Sequence, residues 1–572
     1  MSADPISFDY IIVGGGAAGC VLANRLSADR TTRVLVCEAG PDVRDGETPE
    51  QILDSFAAHA FLDSRFLWND LEVTTAADAG ADPANPARRR KYEQGRVLGG
   101  GSSINGQLAN RGAPHDYDEW EARGATGWRW DTVLPYFRKL ERDVDFGGPL
   151  HGDSGPVPIR RLFPHVWAPH AHAMAKGFAS LGYRYVEDQN GPFEDGYFPF
   201  AINNLYDRRV PAPIAYLGPG VRQRPNLRVE TGSVVTGLVF EGNRCVGITA
   251  VANGVEQRYR AGEVILASGA IFTPPHLLRA GIGPAADLEA MGIRVRHAAR
   301  GVGTRLMDHP SVAIGAFVRP HARLNGKTRR HLLVGLRFSS GFPGTTQGDM
   351  AVSVSTKAAW HAVGEQIASL TMWVNKTYSE AGTVTLRSTD PLAAPQVDFR
   401  LLHDRRDLER LMAAMRHLRG AFDAPEMREA VETPFAASFS ERVRQVGTIN
   451  RSNALKTQLL AKLLDGPPAL RRFLFRNVIM EAPPLDALLA DDVALEAFIR
   501  RAAVGVWHAC CSCRMGAPSD PLAVADPAGR VYGVEGLRIA DASLFPVIPS
   551  ANIHLTVLMA AEKIADDIVA GR

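Results

Sequence analysis

The sequence predicts an α/β fold, with a Rossmann-like dinucleotide-binding domain at its N-terminal end and a second domain inserted between separated segments of the first. Three observations carry this prediction. A glycine-punctuated strand–turn–helix–strand unit opens the chain, strand signals return over residues 226–310 and 536–541, and 572 residues exceed what one hydrophobic core supports.

Phe8-Asp-Tyr-Ile-Ile-Val13 is short, β-rich and stopped by three glycines, as a buried strand should be. Ala17–Leu26 follows as a helix, and Arg33-Val-Leu-Val-Cys37 as a second buried strand ending at Glu38-Ala-Gly40. This is the minimum unit of a parallel sheet. Residues 41–130 read as irregular and polar. Val229–Glu241 and Gly247–Val251 read as a meander, Glu263–Gly269 as a buried strand, Asp404–Phe422 as a charged helix, Gly536–Asp541 as a strand and Thr556–Ala570 as an amphipathic helix. There is no internal repeat or low-complexity tract.

Within the opening unit each glycine has its own work. Gly14 permits the tight turn, Gly16 lets backbone approach a pyrophosphate, and Gly19 lets the helix lie close on the strand. The helix then offers free N–H groups and a positive dipole end beside Ala17 and Ala18. Glu38, with Ala39 next to it, falls at the end of the second strand, where a carboxylate accepts hydrogen bonds from a ribose diol. The fingerprint does not separate FAD from NAD.

Lys and Arg number 64 against 62 Asp and Glu, net +2, a balance that gives no reason to expect nucleic acid or an anionic membrane as partner. The basic clusters Arg88–Lys91 and Lys327–Arg330 read as solvated loops. No apolar run is long enough for a membrane span, and the first residues lack the features of a signal peptide. Six cysteines in a chain this long make no disulfide framework, so a reducing cytoplasm fits best.

Gly95-Arg-Val-Leu-Gly-Gly-Gly-Ser-Ser-Ile-Asn105 and Ser268-Gly-Ala-Ile-Phe-Thr-Pro-Pro-His-Leu-Leu-Arg-Ala-Gly-Ile-Gly283 resemble the two signature segments of the glucose–methanol–choline (GMC) oxidoreductases. With Asp541-Ala-Ser and Pro549-Ser-Ala-Asn552, the resemblance spans almost the whole chain. Tyr92–Arg96, Arg111–Trp120 and Asp195–Pro199 make it most similar to the bacterial 5-hydroxymethylfurfural oxidases, and next to choline and alkanol dehydrogenases.

The resemblance implies FAD rather than NAD, and a second α+β, substrate-binding domain built on an antiparallel sheet. It divides the chain into FAD-binding segments 1–155, 226–310 and 501–572 and substrate-binding segments 156–225 and 311–500. It places the Gly99–Gly101 loop near flavin and pyrophosphate, Asn105 beside the isoalloxazine, Val235 at the adenine and Asp541 near the ribityl–pyrophosphate part. Arg96, Leu98, Ser102, Gly106, Ser268, Gly269, Trp507, Ala542 and Ile553 complete the implied cofactor site. Ile104 stands where some members carry a histidine joined covalently to flavin, which implies non-covalent FAD.

Oxidising an alcohol removes a hydroxyl proton and a hydride, so a flavin enzyme needs a base near the hydroxyl. His508 matches the family's catalytic histidine and Asn552 its second polar position, where an amide would hold the substrate oxygen. His554 either faces flavin or packs. Trp507 is either an aromatic wall over a flat substrate or a core residue. Cys510-Cys-Ser-Cys513 departs from the family's Gly-Thr turn. These cysteines read as small buried residues, a redox pair or, least of all, metal ligands, so no metal site is expected. The prolines of Arg209-Val-Pro-Ala-Pro-Ile-Ala-Tyr216 also depart from the family's pattern, near its substrate side. The implied activity is oxidation of a primary alcohol, aryl or furanic, with O2 as acceptor and H2O2 as product. The alternative is a dehydrogenase using a quinone or another acceptor.

Overall fold

The computed structural model describes residues 6–76, 89–438 and 440–571. The opening unit forms as expected: β1 spans Ile6–Val13, α1 Ala17–Leu26 and β2 Val34–Glu38. All five residues of β2 are buried, and Ile11, Ile12 and Val13 of β1 with them, because helices and further strands cover both sheet faces. The sheet runs in the order Leu227–Thr231, β2, β1, Val255–Leu266, Arg244–Ala252, Ser233–Glu241, and Leu537–Ile539 pairs with Val255–Leu266. Its first pairings are parallel, with β1 between β2 and Val255–Leu266. Strands from the start, middle and end of the chain therefore share one sheet.

A second seven-stranded sheet is antiparallel throughout. Its order is Val431–Ala437, Pro310–Val318, Ile367–Val374, Met350–Ser355, Leu332–Phe338, Gly196–Pro199, with Val504–Gly505 pairing Pro310–Val318. The helix Arg405–Arg419 packs on it through Leu408, Leu411, Met415 and Leu418. Each sheet has its own hydrophobic core.

Three expectations need correction. Val229–Glu241 is two strands split at Gly232, whose φ of +67° turns the chain out of the parallel β2 pairing and into an antiparallel one. Residues 41–130 contain the helix Pro114–Ala122. Pro114 suits its first position, and the Asp116 carboxylate accepts from the Ala113 N–H. The Lys327–Arg330 cluster is a solvated loop only in part: Lys327 and Arg329 are exposed, Arg329 ion-pairing with Asp54, whereas Arg330 is fully buried, donating to the Gly106 carbonyl. Of the other basic cluster, Arg88 lies outside the described residues and Arg89–Lys91 forms an edge strand. The first five residues, part of the stretch read for a signal peptide, also lie outside them. No helix among the described residues is long and apolar enough to cross a membrane.

Candidate active site

A cleft of about 780 Å³ runs between the two sheets. One wall is the glycine turn. Gly14 holds φ +104°, and a Cβ there would lie 2.6 Å from the Ala267 carbonyl oxygen; one on Gly19 would lie 2.1 Å from the Gly14 carbonyl. A Cβ on Gly16 would meet nothing nearer than 3.8 Å, so the space this glycine leaves belongs to the cleft. Gly16 caps α1 with no side-chain hydrogen bond, and Gly16, Ala17 and Ala18 line the cleft, which places an uncapped helix N-terminus against it.

Two buried carboxylates follow along the same wall. Glu38 accepts from the Gly15 N–H at 2.9 Å and the Gly40 N–H at 2.7 Å, which fixes its side chain at the strand end. Asp541 accepts from Gly269 N–H, Thr273 Oγ1 and Ser543 N–H at 2.9, 2.6 and 2.8 Å, tying the last strand to the helix Gly269–Arg279. Burial raises the pKa of both against these donors. Asn105 is held by Arg209, whose Nη1 donates to its side-chain and main-chain oxygens at 2.8 and 2.6 Å. Arg209 is itself buried, its pKa lowered to about 9 by burial and by Arg330.

His508 and Asn552 close the inner end. The His508 Nε2 lies 3.0 Å from the Asn552 Nδ2 and its Nδ1 lies 2.9 Å from Nδ1 of His309. The His309 Nε2 reaches the Pro549 carbonyl at 3.0 Å. Burial lowers the pKa of both imidazoles, that of His309 to about 4, and His309 lowers His508 further. Both rings are therefore neutral. Asp308 sets the main chain that carries His508, accepting from the N–H groups of His508, Val506 and His309 at 3.0, 3.2 and 2.8 Å and from the Tyr92 hydroxyl at 3.1 Å. Burial pushes its pKa up to about 7 despite these donors. The Asn552 loop is pinned in turn by Asp116, which accepts from the Ser550 N–H, and by Asn375, which donates to the Ser550 carbonyl.

The cleft gathers Gly14, Gly16, Ala17, Ala18, Glu38, Ala39, Arg96, Gly101, Ser102, Asn105, Gly106, Val235, Ser268, Gly269, Trp507, His508, Asp541, Ala542, Asn552 and Ile553, together with Ile104 and His554. Gly19, Leu98 and Gly99 are not in its wall. Gly99 sits behind it with φ +90°, donating to the Gly15 carbonyl at 2.7 Å, and Leu98 is fully buried. Trp507 is 41% exposed and donates to Glu93 Oε2 at 3.2 Å, so it stands at the cleft rather than in the core. Cys510, Cys511 and Cys513, which follow His508 in the chain, are fully buried free thiols; burial raises the pKa of Cys510 and Cys513.

Residue patterns alone did not find His309, Asp308, His331, Leu332, Ser353, Thr371 or Trp373. Asp308-His-Pro310 is the one local signal among them, two polar residues leading into a strand. The other five lie on or beside strands of the antiparallel sheet and face the cleft through its pleat.

A dinucleotide-type cleft closed at its far end by the His508–Asn552 pair is the arrangement of a cofactor-dependent oxidoreductase. The chain belongs to the GMC oxidoreductase family, whose N-terminal pattern matches residues 8–311 and whose C-terminal pattern matches 377–561. It is 41% identical over 569 residues to the 5-(hydroxymethyl)furfural oxidase of Methylovorus sp. (strain MP688), with 98% of each chain covered. It is 31% identical over 601 residues to the oxygen-dependent choline dehydrogenase of Staphylococcus xylosus, covering 99% of this chain and 95% of that one. Among solved structures, pyridoxine 4-oxidase from Mesorbium loti superposes with a TM-score of 0.79 at 28% identity, covering 98% of this chain and 99% of that one.

Proposed function

We propose that the protein oxidises a primary alcohol, aryl or furanic in class, to the aldehyde, with O2 as acceptor and H2O2 as co-product. FAD is the cofactor, and when bound it supplies the acceptor for the hydride leaving the alcohol carbon. The α1 N-terminus and Gly16 would hold its pyrophosphate, Glu38 and Ala39 a ribose, and Val235 the adenine end. Gly101, Ser102, Asn105, Gly106, Asp541 and Ile553 would hold the flavin half. Ile104 offers only hydrocarbon to the cleft, so the flavin is non-covalent.

The hydroxyl enters between His508 and Asn552. It donates its proton to the free Nε2 of His508, while the Asn552 amide N–H turns from the imidazole to the substrate oxygen. A neutral imidazole takes that proton, whereas a protonated one repels the developing positive charge. The observation that carries this reading is the 3.0 Å His508–Asn552 contact in the cleft wall. Identity of 41% with a 5-(hydroxymethyl)furfural oxidase supports the substrate class.

Anaerobic bleaching of the flavin by a panel of benzylic, furanic, aliphatic and amino alcohols tests it. Bleaching by amino alcohols alone would overturn the aryl or furanic class. The second reading is a dehydrogenase passing electrons to a quinone or another acceptor, favoured by 31% identity over 589 residues with the mitochondrial choline dehydrogenase of Homo sapiens. Aerobic turnover without peroxide, alongside rapid dye reduction, would select it.

A further inference from the structure

We infer that residues 441–480 form a docking face for an anionic lipid bilayer. Of the seventeen large hydrophobic side chains exposed among the described residues, eight fall between Val443 and Phe473. That density in one short stretch is what single scattered surface apolar residues do not produce. The centre is the helix Arg451–Leu464. Its inner face, with Ala461 and Leu464, packs against a small core containing Phe317, Phe435 and Phe475. Its outer face carries Leu455, Leu459 and Leu463, one turn apart, at 68, 64 and 41% exposure. Phe473, in the next helix, is 60% exposed.

Charge selects the occupant. Residues 441–480 hold eight Lys or Arg against two Asp or Glu, net +6, in a chain whose total is only +2. On the helix, Lys456 and Lys462 flank the leucine stripe on opposite sides, as a hundred-degree rotation per residue requires. Both are exposed and make no ion pair among the described residues. The acid nearest the helix end, Asp465, is already paired with Arg323. An apolar stripe bordered by lysines is the pattern of a helix lying in a membrane interface, its leucines among acyl chains and its ammonium groups at anionic headgroups. A symmetric contact with a second copy would set one cationic face against another, which a lipid surface avoids. The segment also begins at the cleft: Arg444 ion-pairs with Glu93, which lines it and accepts from Trp507. Docking would bring the cleft mouth toward the bilayer, whichever alcohol is oxidised.

The test is sedimentation of the holoenzyme with phosphatidylcholine vesicles prepared with and without phosphatidylglycerol. Binding is expected only with phosphatidylglycerol, and it should be lost on raising salt from about 0.1 to about 1 M, where screening shortens from about 10 to about 3 Å. Lys456→Ala and Lys462→Ala should each weaken binding about fivefold. Leu455→Ser with Leu459→Ser should abolish it, while flavin content and turnover of a water-soluble alcohol stay at wild-type levels. Absence of binding to the anionic vesicles, or binding that these variants leave intact, would overturn the inference. So would a dimer in light scattering that the leucine variants dissociate, since the face would then belong to a second copy.

Discussion

The Nδ1 of His309 lies 2.9 Å from the Nδ1 of His508, and this contact fixes which nitrogen of His508 is basic. The Pro549 carbonyl on the other side of His309 can only accept, so His309 carries its proton on Nε2. Its Nδ1 must then accept, and His508 donates from Nδ1. The lone pair of His508 is left on Nε2, facing Asn552 and the cleft. In the proposed reaction His309 is thus a positioning residue, acting on substrate through His508.

His309→Ala should slow flavin reduction by roughly 10- to 100-fold, short of the roughly 10⁴-fold cost of forcing the wrong tautomer. FAD content should stay at the wild-type level. Restoration of much of the rate by His309→Gln, whose amide oxygen can accept from His508, separates positioning from bulk structure. Equal loss in both variants without recovery would count against the tautomer role.

His508 should stay neutral through the range in which a free imidazole, with pKa about 6.5, gains its proton. Burial, then His309, lowers its pKa well below that value. Anaerobic flavin reduction therefore should lack an acid limb centred at about pH 6.5. The neighbouring carboxyl of Asp308, raised by burial to about 7, is the group in contact with this segment that titrates nearest neutrality. An inflection near 6.5 that survives Asp308→Asn would show that His508 titrates normally.

FAD should leave the protein on acid or heat denaturation. Ile104 has no atom able to bond the flavin, and this is read directly from absorbance of the supernatant after precipitation. Yellow colour retained in the pellet after washing would mean another residue, His554 among the candidates lining the cleft, holds it covalently.

Gly19→Ala should destabilise the fold and lower FAD occupancy together. Its Cβ would come within 2.1 Å of the Gly14 carbonyl oxygen, so helix and turn must separate. Overpacking of this kind costs about 1–3 kcal/mol. The expected readouts are a lower Tm and less flavin per chain. Gly101→Ala, with no protein atom within 4 Å of the new Cβ, should leave the apoprotein's Tm unchanged.

Stability should fall as the solution becomes alkaline, through His151. Burial lowers its pKa, but Asp143, Asp188 and Glu141 outweigh burial and raise it to about 10. Asp143 and Asp188 flank its two nitrogens at 3.0 and 2.9 Å. Between the unfolded value of about 6.5 and the folded one, the native state holds a proton the unfolded chain has lost. The contribution is complete below about pH 6.5 and disappears as pH rises through about 10. His151→Gln should flatten the alkaline part of the Tm–pH curve; an unchanged curve would remove His151 as its cause.

The chain's local chemistry determined the parts whose causes are local. Gly14, Gly16 and Gly19 can be read because a turn and a helix N-terminus depend on neighbouring residues, and the helix Ala17–Leu26 forms with the bounds its pattern predicts. His508 and Asn552 stood out through the motifs around them, and folding brings these residues, 44 positions apart, to 3.0 Å. What the pattern missed is what long-range contacts decide. His309 lies 199 positions before His508, and only packing of Pro310–Val318 against Val504–Gly505 places the two rings side by side. Thr371 and Trp373 reach the cleft because alternate residues of one strand share a face, yet no local signal says which face meets the cofactor side. The whole-chain charge of +2 likewise conceals the cationic segment 441–480, because balance is a sum over the chain, while a surface is chosen by which side chains the fold leaves outside.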